Sequence, residues 1–368
     1  MSDRVRGRSF LVMGGAGSIG QAVVKALFRR QPARLHVVDV SENNLVELVR
    51  EVRSSYGYMA GDFQTLPLDC GDLEFKAFLE ESEPYDYVLN FMAMKHVRSE
   101  KDGFTLMRMI RTNVLNTETT LAYARATGAS RYFAVSSDKA ANPANALGAT
   151  KRVMELCLIR ASEGIEVSSA RFANVAFSDG SLLHGFTRRL AKRQPLSAPR
   201  EIQRYFITAD EASTLCLMSC LLGGNRESFF PKLSEAVDFV SIAERFLTAH
   251  GYRAHPCATE DEARNRVDEL AARGRWPCYF FASDTTGEKM IEEFLMTGES
   301  VDLDRYHEVG VIGWPPPADD GALDRFLEGI RDLRDAGRWT REEILERLRS
   351  LLPEFRHQET GKFLDARM

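Results

Sequence analysis

The stretch LVMGGAGSIGQAVV, residues 11–24, constrains the fold more than any other part of the chain. A short apolar run leads into a turn carrying Gly14, Gly17 and Gly20, and the residues after it have helical spacing. Strand, glycine turn and helix in that order let the backbone approach a pyrophosphate, while the helix N-terminus offers N–H donors and the positive end of its dipole. Further apolar runs follow in RLHVVDV, FQTLPLD, YDYVLNFMA and SRYFAVSS, with helical segments such as NTETTLAYARATG between several of them. Strands alternating with helices predict an α/β protein with a doubly wound parallel Rossmann sheet. Mostly apolar strands of this length fit a sheet covered on both faces.

The second run ends in Asp39, nineteen residues after Gly20. A carboxylate there accepts hydrogen bonds from an adenosine ribose and repels a 2′-phosphate, which favours NAD over NADP. Ser18 and Ile19 complete the loop at the helix start. Asp69 closes the third run, where it either meets the adenine or caps the strand.

After about residue 175 the alternation loosens. FTRRLAKRQ, TADEASTLCLMSCLL, SIAERFLTAHG and EDEARNRVDELAARG read as helices and CYFFAS as a late strand, which suits a smaller mixed α/β substrate-binding domain. WPPPADDG is the clearest linker, and two amphipathic helices, ALDRFLEGIRDLRDAG and TREEILERLRSLL, follow it. The expected organisation is a Rossmann domain over 1–175, a substrate-binding region over 176–315 with some elements returning to the Rossmann domain, and a C-terminal helical extension over 316–368.

The composition excludes several classes. A formal net charge of −5 argues against a dedicated nucleic-acid binder. No run reaches the roughly 18 apolar residues that span a bilayer, and the N-terminal run is too short for a signal peptide. The expectation is a cytoplasmic protein with no membrane insertion. Six cysteines include no CxxC pair, so no metal site is predicted; Cys216 and Cys220 share a helix face and read as core.

The segment VSSDKAANPANALGATKR resembles the S-[ST]-D-K-A-x-N-P-x-N-x-x-G-A-[ST]-K-R stretch of the polysaccharide-biosynthesis nucleotide-sugar 4,6-dehydratases, which are extended short-chain dehydrogenase/reductases. LNFMAMKHVRSEKD, RTNVLNTETTL, ARFANVAFSDGSLLHGF, RYFIT and TTGEKMIEEF resemble further motifs of that family in order, over about residues 8–295. The insert DEARNRVDELAARGRWPCYFFASDTTGEK and the tail TGKFLD are similar to the soluble subgroup linked to legionaminic-acid-type sugars. Three positions depart. Leu147 stands where the wider superfamily has a tyrosine four residues before its helical lysine, Thr285 replaces an arginine, and Ala173 a glycine.

The resemblance implies an enzyme converting a nucleotide-linked N-acetylhexosamine, UDP- or GDP-N-acetylglucosamine, to its 4-keto-6-deoxy product for surface glycan synthesis, with tightly bound NAD. It implies Asp138 as the acid at the C6 hydroxyl, Lys139 as the base at C5, Ser137 near O4, and Lys151 on the nicotinamide ribose, with Asn113 holding that lysine through a water. Asp138 and Lys139 also lie just past the fifth strand, where open α/β sheets place their chemistry. Arg171, Asn174, Ser181 and Arg204 match positions near the nucleotide diphosphate, and Lys95 and His96 match the loop beside the sugar. A homodimer or higher homo-oligomer is implied through the helix before the fifth strand and the helix carrying Lys151. Two alternatives stand beside this reading: a nucleotide-sugar C4 epimerase, and a catalytically silent NAD-binding paralogue, for which Leu147 is the support.

Overall fold

The computed structural model describes residues 1–318 and 321–362, which form two units. The first comprises Met1–Phe172, Ala209–Lys232 and Glu293–His357; the second comprises Ala173–Thr208, Leu233–Glu292 and the tail from Gln358. Of the segments singled out above, Asp319 and Asp320 in the linker and Phe363–Asp365 of TGKFLD lie outside the described residues.

Among the described residues the first unit is built on a nine-stranded sheet. Strands β1 (Ser9–Met13), β2 (Arg34–Val38), β3 (Asp62–Leu66), β4 (Tyr87–Asn90), β5 (Arg131–Val135) and β6 (Glu166–Ala170) lie in the order β3-β2-β1-β4-β5-β6, all parallel. This is the doubly wound arrangement expected. Every residue of β5 is buried, whereas β3, at the edge, leaves alternate positions in water. The chain winds outward from β1 to β3 and then returns to β4, so the direction of winding reverses between β1 and β4. Ligand crevices in open parallel sheets form at the carboxyl ends of the strands at such a point.

Two late segments return to this sheet. Glu227–Pro231 pairs parallel with β6, and Val309–Gly313 and Ser300–Asp302 extend that edge antiparallel. The helix Ala209–Leu222, assigned from its sequence to the substrate-binding region, is the crossover that precedes Glu227–Pro231 and packs on the sheet of the first unit. Its sequence is apolar on nearly every side, which suits a crossover buried between sheet and neighbouring helix.

The C-terminal helices Ala322–Asp335 and Arg341–Leu351 join the core of the first unit. Phe326, Leu327, Ile330, Ile344, Leu345 and Leu348 are buried in the same cluster as Val114, Val153 and Leu158. Each such side chain contributes about 1.5–3 kcal/mol on burial, before the entropy of ordering is subtracted, so the helices are integral rather than appended. Arg160 pairs with both Glu118 and Asp324, and Arg331 pairs with Glu118, linking three helices. The extension therefore covers, within one chain, part of the helix pair through which the homo-oligomer was expected.

The second unit contains a three-stranded parallel sheet, with Arg275–Phe281 between Arg253–Pro256 and Leu196–Pro199. Its core gathers Phe186, Phe246, Trp276 and Phe280. Among the described residues no helix is long and apolar enough to cross a membrane.

Candidate active site

The glycine turn is set by close approach. Gly14 has φ +71°, and a Cβ there would lie 2.7 Å from the Met92 main-chain nitrogen. A Cβ on Gly20 would meet the Gly14 carbonyl at 2.3 Å, which fastens the helix Ser18–Phe28 against the turn. Asp39 closes the other side. Its Oδ2 accepts the Ala16 N–H at 3.0 Å and its Oδ1 the Ser41 N–H at 2.9 Å, so the carboxylate is held in place by main chain. A cavity of about 270 Å³ opens here, lined by Gly14, Gly17, Asp39, Asp69, Met94 and Arg108 among others. Backbone at Gly14 and Gly20 that tolerates no Cβ, a helix N-terminus and a fixed carboxylate are the features a dinucleotide needs, and this set fits NAD.

Asp69 accepts the Gly71 N–H at 2.9 Å and an N–H of Arg108 at 2.8 Å. Burial alone would raise its pKa, but the Gly71 donor, Arg111 and Arg108 outweigh it and hold the carboxyl below its ordinary value. Arg108, which the sequence reading passed over, thus becomes part of the cavity wall.

The segment Ser136–Lys139 leaves β5 still paired to its neighbours: Ser136 N–H donates to the Ala170 carbonyl and Asp138 N–H to the Phe172 carbonyl. Ser137 then caps a short 3₁₀ turn. Its hydroxyl accepts the Lys139 N–H at 3.0 Å and donates to Asp138 Oδ1 at 2.7 Å. Lys139 Nζ lies 3.1 Å from the same oxygen, and Asp138 is only 2% exposed. Asn145 caps the following helix, Ala146–Ala161, by accepting the Gly148 N–H at 2.8 Å. Lys151 sits one turn into this helix, fully enclosed, and its ammonium donates to the Val135 carbonyl at 2.9 Å. Burial pulls its pKa down to about 8 against the opposing pull of Glu155. Leu147, one turn earlier, is buried and carries no titratable group.

Asn113 belongs to a π-turn, Arg111–Leu115, inserted between the helices Gly103–Ile110 and Asn116–Ala126. Such bulges re-aim side chains. Here the Asn113 amide accepts the Met94 N–H at 2.9 Å, donates to the Met94 carbonyl, and donates to Thr150 Oγ1 at 3.0 Å. It therefore clamps the loop after β4 directly to the residue before Lys151. Lys95 and His96 follow on that loop, both exposed.

Arg171 is not placed to meet a diphosphate. It has no solvent exposure. Its Nε and Nη2 donate to the two oxygens of Glu155, each at 2.7 Å, and its Nη atoms donate to Glu299 at 2.8 Å and to the Phe294 carbonyl at 2.9 Å. Every N–H is committed to the protein, so the expected phosphate role is replaced by a structural one. Burial would raise the pKa of Glu155, but Arg171, Arg152 and the Ser136 hydroxyl overcome that and keep it below its ordinary value.

Asn174, Ser181 and Arg204 belong to the second unit. Asn174 lies on a two-residue strand pairing with Phe206–Ile207, and Ser181 caps the helix Leu182–Ala191 by accepting the His184 N–H at 3.2 Å. Arg204 is nearly buried, donates to the Gln203 and Lys289 carbonyls at 2.8 and 2.9 Å, and faces Glu288 Oε1 at 3.5 Å. It thereby ties the GEK segment, 287–289, to its own strand. The unit also brings His255, Cys257 and Glu262 within 4.8 Å of one another. The guanidinium of Arg266 donates to His255 Nε2 at 3.2 Å and to Glu262 at 2.9 Å, supplying a cation to that group from the chain itself.

Comparison with known proteins places this geometry in context. The family described as polysaccharide biosynthesis protein matches residues 10–312. The probable polysaccharide biosynthesis protein EpsC of Bacillus subtilis (strain 168) is 28% identical over 341 residues, 91% of this chain and 53% of that protein, so the chain spans about half of it. A UDP-N-acetylglucosamine 4,6-dehydratase (inverting) from Campylobacter jejuni is 26% identical over 237 residues, 62% of this chain and 67% of that one. A UDP-glucose 4-epimerase of Rickettsia rickettsii is 25% identical over 289 residues, 73% of this chain and 83% of that one. Among solved structures, the dTDP-glucose 4,6-dehydratase DesIV from Streptomyces venezuelae, with NAD and TYD bound, has a TM-score of 0.61 at 17% identity, covering 89% of this chain and 97% of that one. At that identity the likeness establishes the shared fold.

Proposed function

The chain belongs to the polysaccharide biosynthesis protein family, and from that premise we propose that it is an NAD-dependent 4,6-dehydratase of a nucleotide-linked N-acetylhexosamine. The observation that carries the proposal is the contact between Asp138 and Lys139, an enclosed carboxyl and an amine 3.1 Å apart at the carboxyl end of β5. A C4 epimerase oxidises and reduces a single carbon and has no elimination for such a pair to serve. Both dehydratases and epimerases stand among the relatives, so the pair is what separates the two readings.

Gly14–Gly20 and Asp39 would hold NAD, which would supply the hydride acceptor for C4 of the sugar and the donor for C6. The residues manage the protons. A carboxylate beside an ammonium holds one proton in total, and so does its neutral tautomer, a carboxylic acid beside an amine. In the neutral form Lys139 takes the C5 proton, made acidic by the ketone at C4, while Asp138 protonates the C6 hydroxyl, which leaves as water. Lys139 later returns a proton to C5. Asp138 has then spent one proton, and the one released from O4 replaces it. Leu147 has no group to accept that O4 proton. Lys139 is engaged at C5, so Lys151 serves better in the relay: with its pKa lowered by burial to about 8, it passes a proton on toward Asp138 as it takes up the one from O4. Ser137 holds Asp138 in place throughout.

The test is incubation in D₂O with UDP- and with GDP-N-acetylglucosamine, without added NAD, followed by NMR and mass analysis. The expected product has lost the elements of water and carries deuterium at C5. A C4-inverted product with no loss of water would make the protein an epimerase. Recovery of both sugars unchanged, with NAD bound to the protein, would favour the silent paralogue.

A further inference from the structure

The mechanism makes no use of the enclosed acid Glu100. Glu100, at the end of the 3₁₀ turn Val97–Glu100, has no solvent exposure. Its Oε2 accepts the Ala146 N–H, one of the donors that a helix start leaves without a partner inside the helix. Its Oε1 lies 3.3 Å from Nε2 of His357, whose side chain is 2% exposed. The negative charge thus sits at the start of the sixteen-residue catalytic helix, where the helix dipole favours it, with an imidazole on its other side.

The segment around His357 reaches the catalytic segment at two more points. Arg356 N–H donates to the Pro143 carbonyl at 3.0 Å, and Glu354 faces Arg152 at 3.4 Å. The start of the helix is also packed directly on the turn that holds Lys139. A Cβ on Gly148 would lie 2.2 Å from the Lys139 carbonyl oxygen, so no slack separates the two. Displacing the helix start therefore displaces Lys139. Arg341, at the start of the last helix, donates from Nε to the Glu100 carbonyl at 2.6 Å, and Trp339 just before it donates from Nε1 to the Gly103 carbonyl at 2.9 Å, so this stretch holds the end of the turn and the start of the helix after it.

From this geometry we infer that His357, acting through Glu100 and the Ala146 N–H, is a positioning residue that sets Lys139 against Asp138. The inference rests on the dehydratase reading for its consequence in turnover, but not for its consequence in structure. Two measurements are made on the full-length, NAD-containing protein: steady-state kinetics with the nucleotide sugar, and amide hydrogen exchange of peptides covering residues 140–150. For His357→Ala the expected result is a fall in kcat of about tenfold with KM within about twofold, since misplacement of the acid–base pair costs the chemical step more than binding. Exchange in 140–150 is faster, whereas exchange in the helix Ser18–Phe28 and the bound NAD are unchanged. His357→Gln keeps a side-chain N–H donor and restores most of both signals.

Exchange in 140–150 equal to that of the unaltered protein would overturn the inference. So would faster exchange throughout the first unit with no rescue by glutamine, which would mark His357 as merely structural. Should His357→Ala not fold, Glu100→Gln reads the same link: it keeps an acceptor for Ala146 but removes the charge that faces His357, and exchange confined to 140–150 is expected to rise. If the unaltered protein turns over no nucleotide sugar, the dehydratase reading fails while the exchange measurement still decides the positioning role.

Discussion

Lys139 Nζ lies 3.1 Å from Oδ1 of Asp138, the residue immediately before it. Neighbouring side chains in extended backbone point to opposite sides. The 3₁₀ turn that Ser137 caps is what brings these two to the same side. Ser137 also donates to the same oxygen that Lys139 approaches, so two donors converge on it. Asp138→Asn keeps the shape and one acceptor but has no proton to give the C6 hydroxyl. It is expected to lower turnover by about 10²–10⁴-fold, the usual contribution of a positioned acid, while NAD stays bound. Steady-state kinetics and the nucleotide content of the purified variant check this. A variant as active as the unaltered protein would remove Asp138 from the mechanism.

Leu147, a buried side chain with no titratable group, occupies the place of a tyrosine. Oxidation at C4 is internal and reversible, and elimination consumes the ketone, so an additional base there has little to improve. Leu147→Tyr is expected to keep turnover within about one order of magnitude. A gain much larger than that would mean the O4 proton transfer limits the natural chain and that no relay through Lys151 operates.

The strand-and-helix alternation through β5 was legible because each apolar run there is bounded by turn residues and separated by a helix. The strands Glu227–Pro231 and Val309–Gly313 were not. They are short, and each follows a long excursion of the chain into or beyond the second unit, so nothing local connects them to β6. The glycine loop and Asp39 could be read from their spacing after strand and turn, whereas Asp138, Lys139 and Lys151 were legible through a resemblance carried by one contiguous segment. Arg171 and Glu100 could not. The partners that define them, Glu299 and His357, lie 128 and 257 positions away, and a charged residue looks the same in sequence whether water or a carboxylate receives it. Glu155 did leave one signal, its position one helical turn after Lys151.

Arg171 separates a structural from a substrate role cleanly. Glu155 has no exposed surface and Glu299 very little, so removing the guanidinium leaves two enclosed carboxylates without their main partner. Arg171→Met is expected to lower the unfolding free energy by about 3–5 kcal/mol, measured by urea denaturation, and Glu155→Gln in the same chain recovers part of it. The pH dependence follows from the lowered pKa of Glu155. The stabilisation is complete above its ordinary value of 4.5 and is lost as pH falls through the lower value it has in the fold. In the variant that acid-side loss is smaller. A variant of normal stability with a raised KM for the nucleotide sugar would instead return Arg171 to the phosphate.

Lys151 should show the opposite balance, function gained at the expense of stability. Its ordinary pKa of 10.5 falls to about 8 in the fold, chiefly through burial. Below about pH 8 both folded and unfolded chains carry the proton, and the whole cost of enclosing the charge is present. Between 8 and 10.5 the folded chain has released the proton while the unfolded chain still binds it, so rising pH favours folding through this group; above 10.5 the cost is gone. Lys151→Met removes the charge at similar volume and forfeits the hydrogen bond to Val135. In protein freed of nucleotide, the variant is expected to be more stable by about 1–3 kcal/mol near neutral pH, with the advantage shrinking toward pH 10. Turnover should be lost, because neither the ribose contact nor the amine of the proton relay remains. Urea denaturation at several pH values follows the first effect and kinetics the second. A methionine variant less stable than the unaltered chain at every pH would show that the enclosed ammonium is satisfied by Val135 and Glu155 alone, and would take away the reason for a readily released proton at the site.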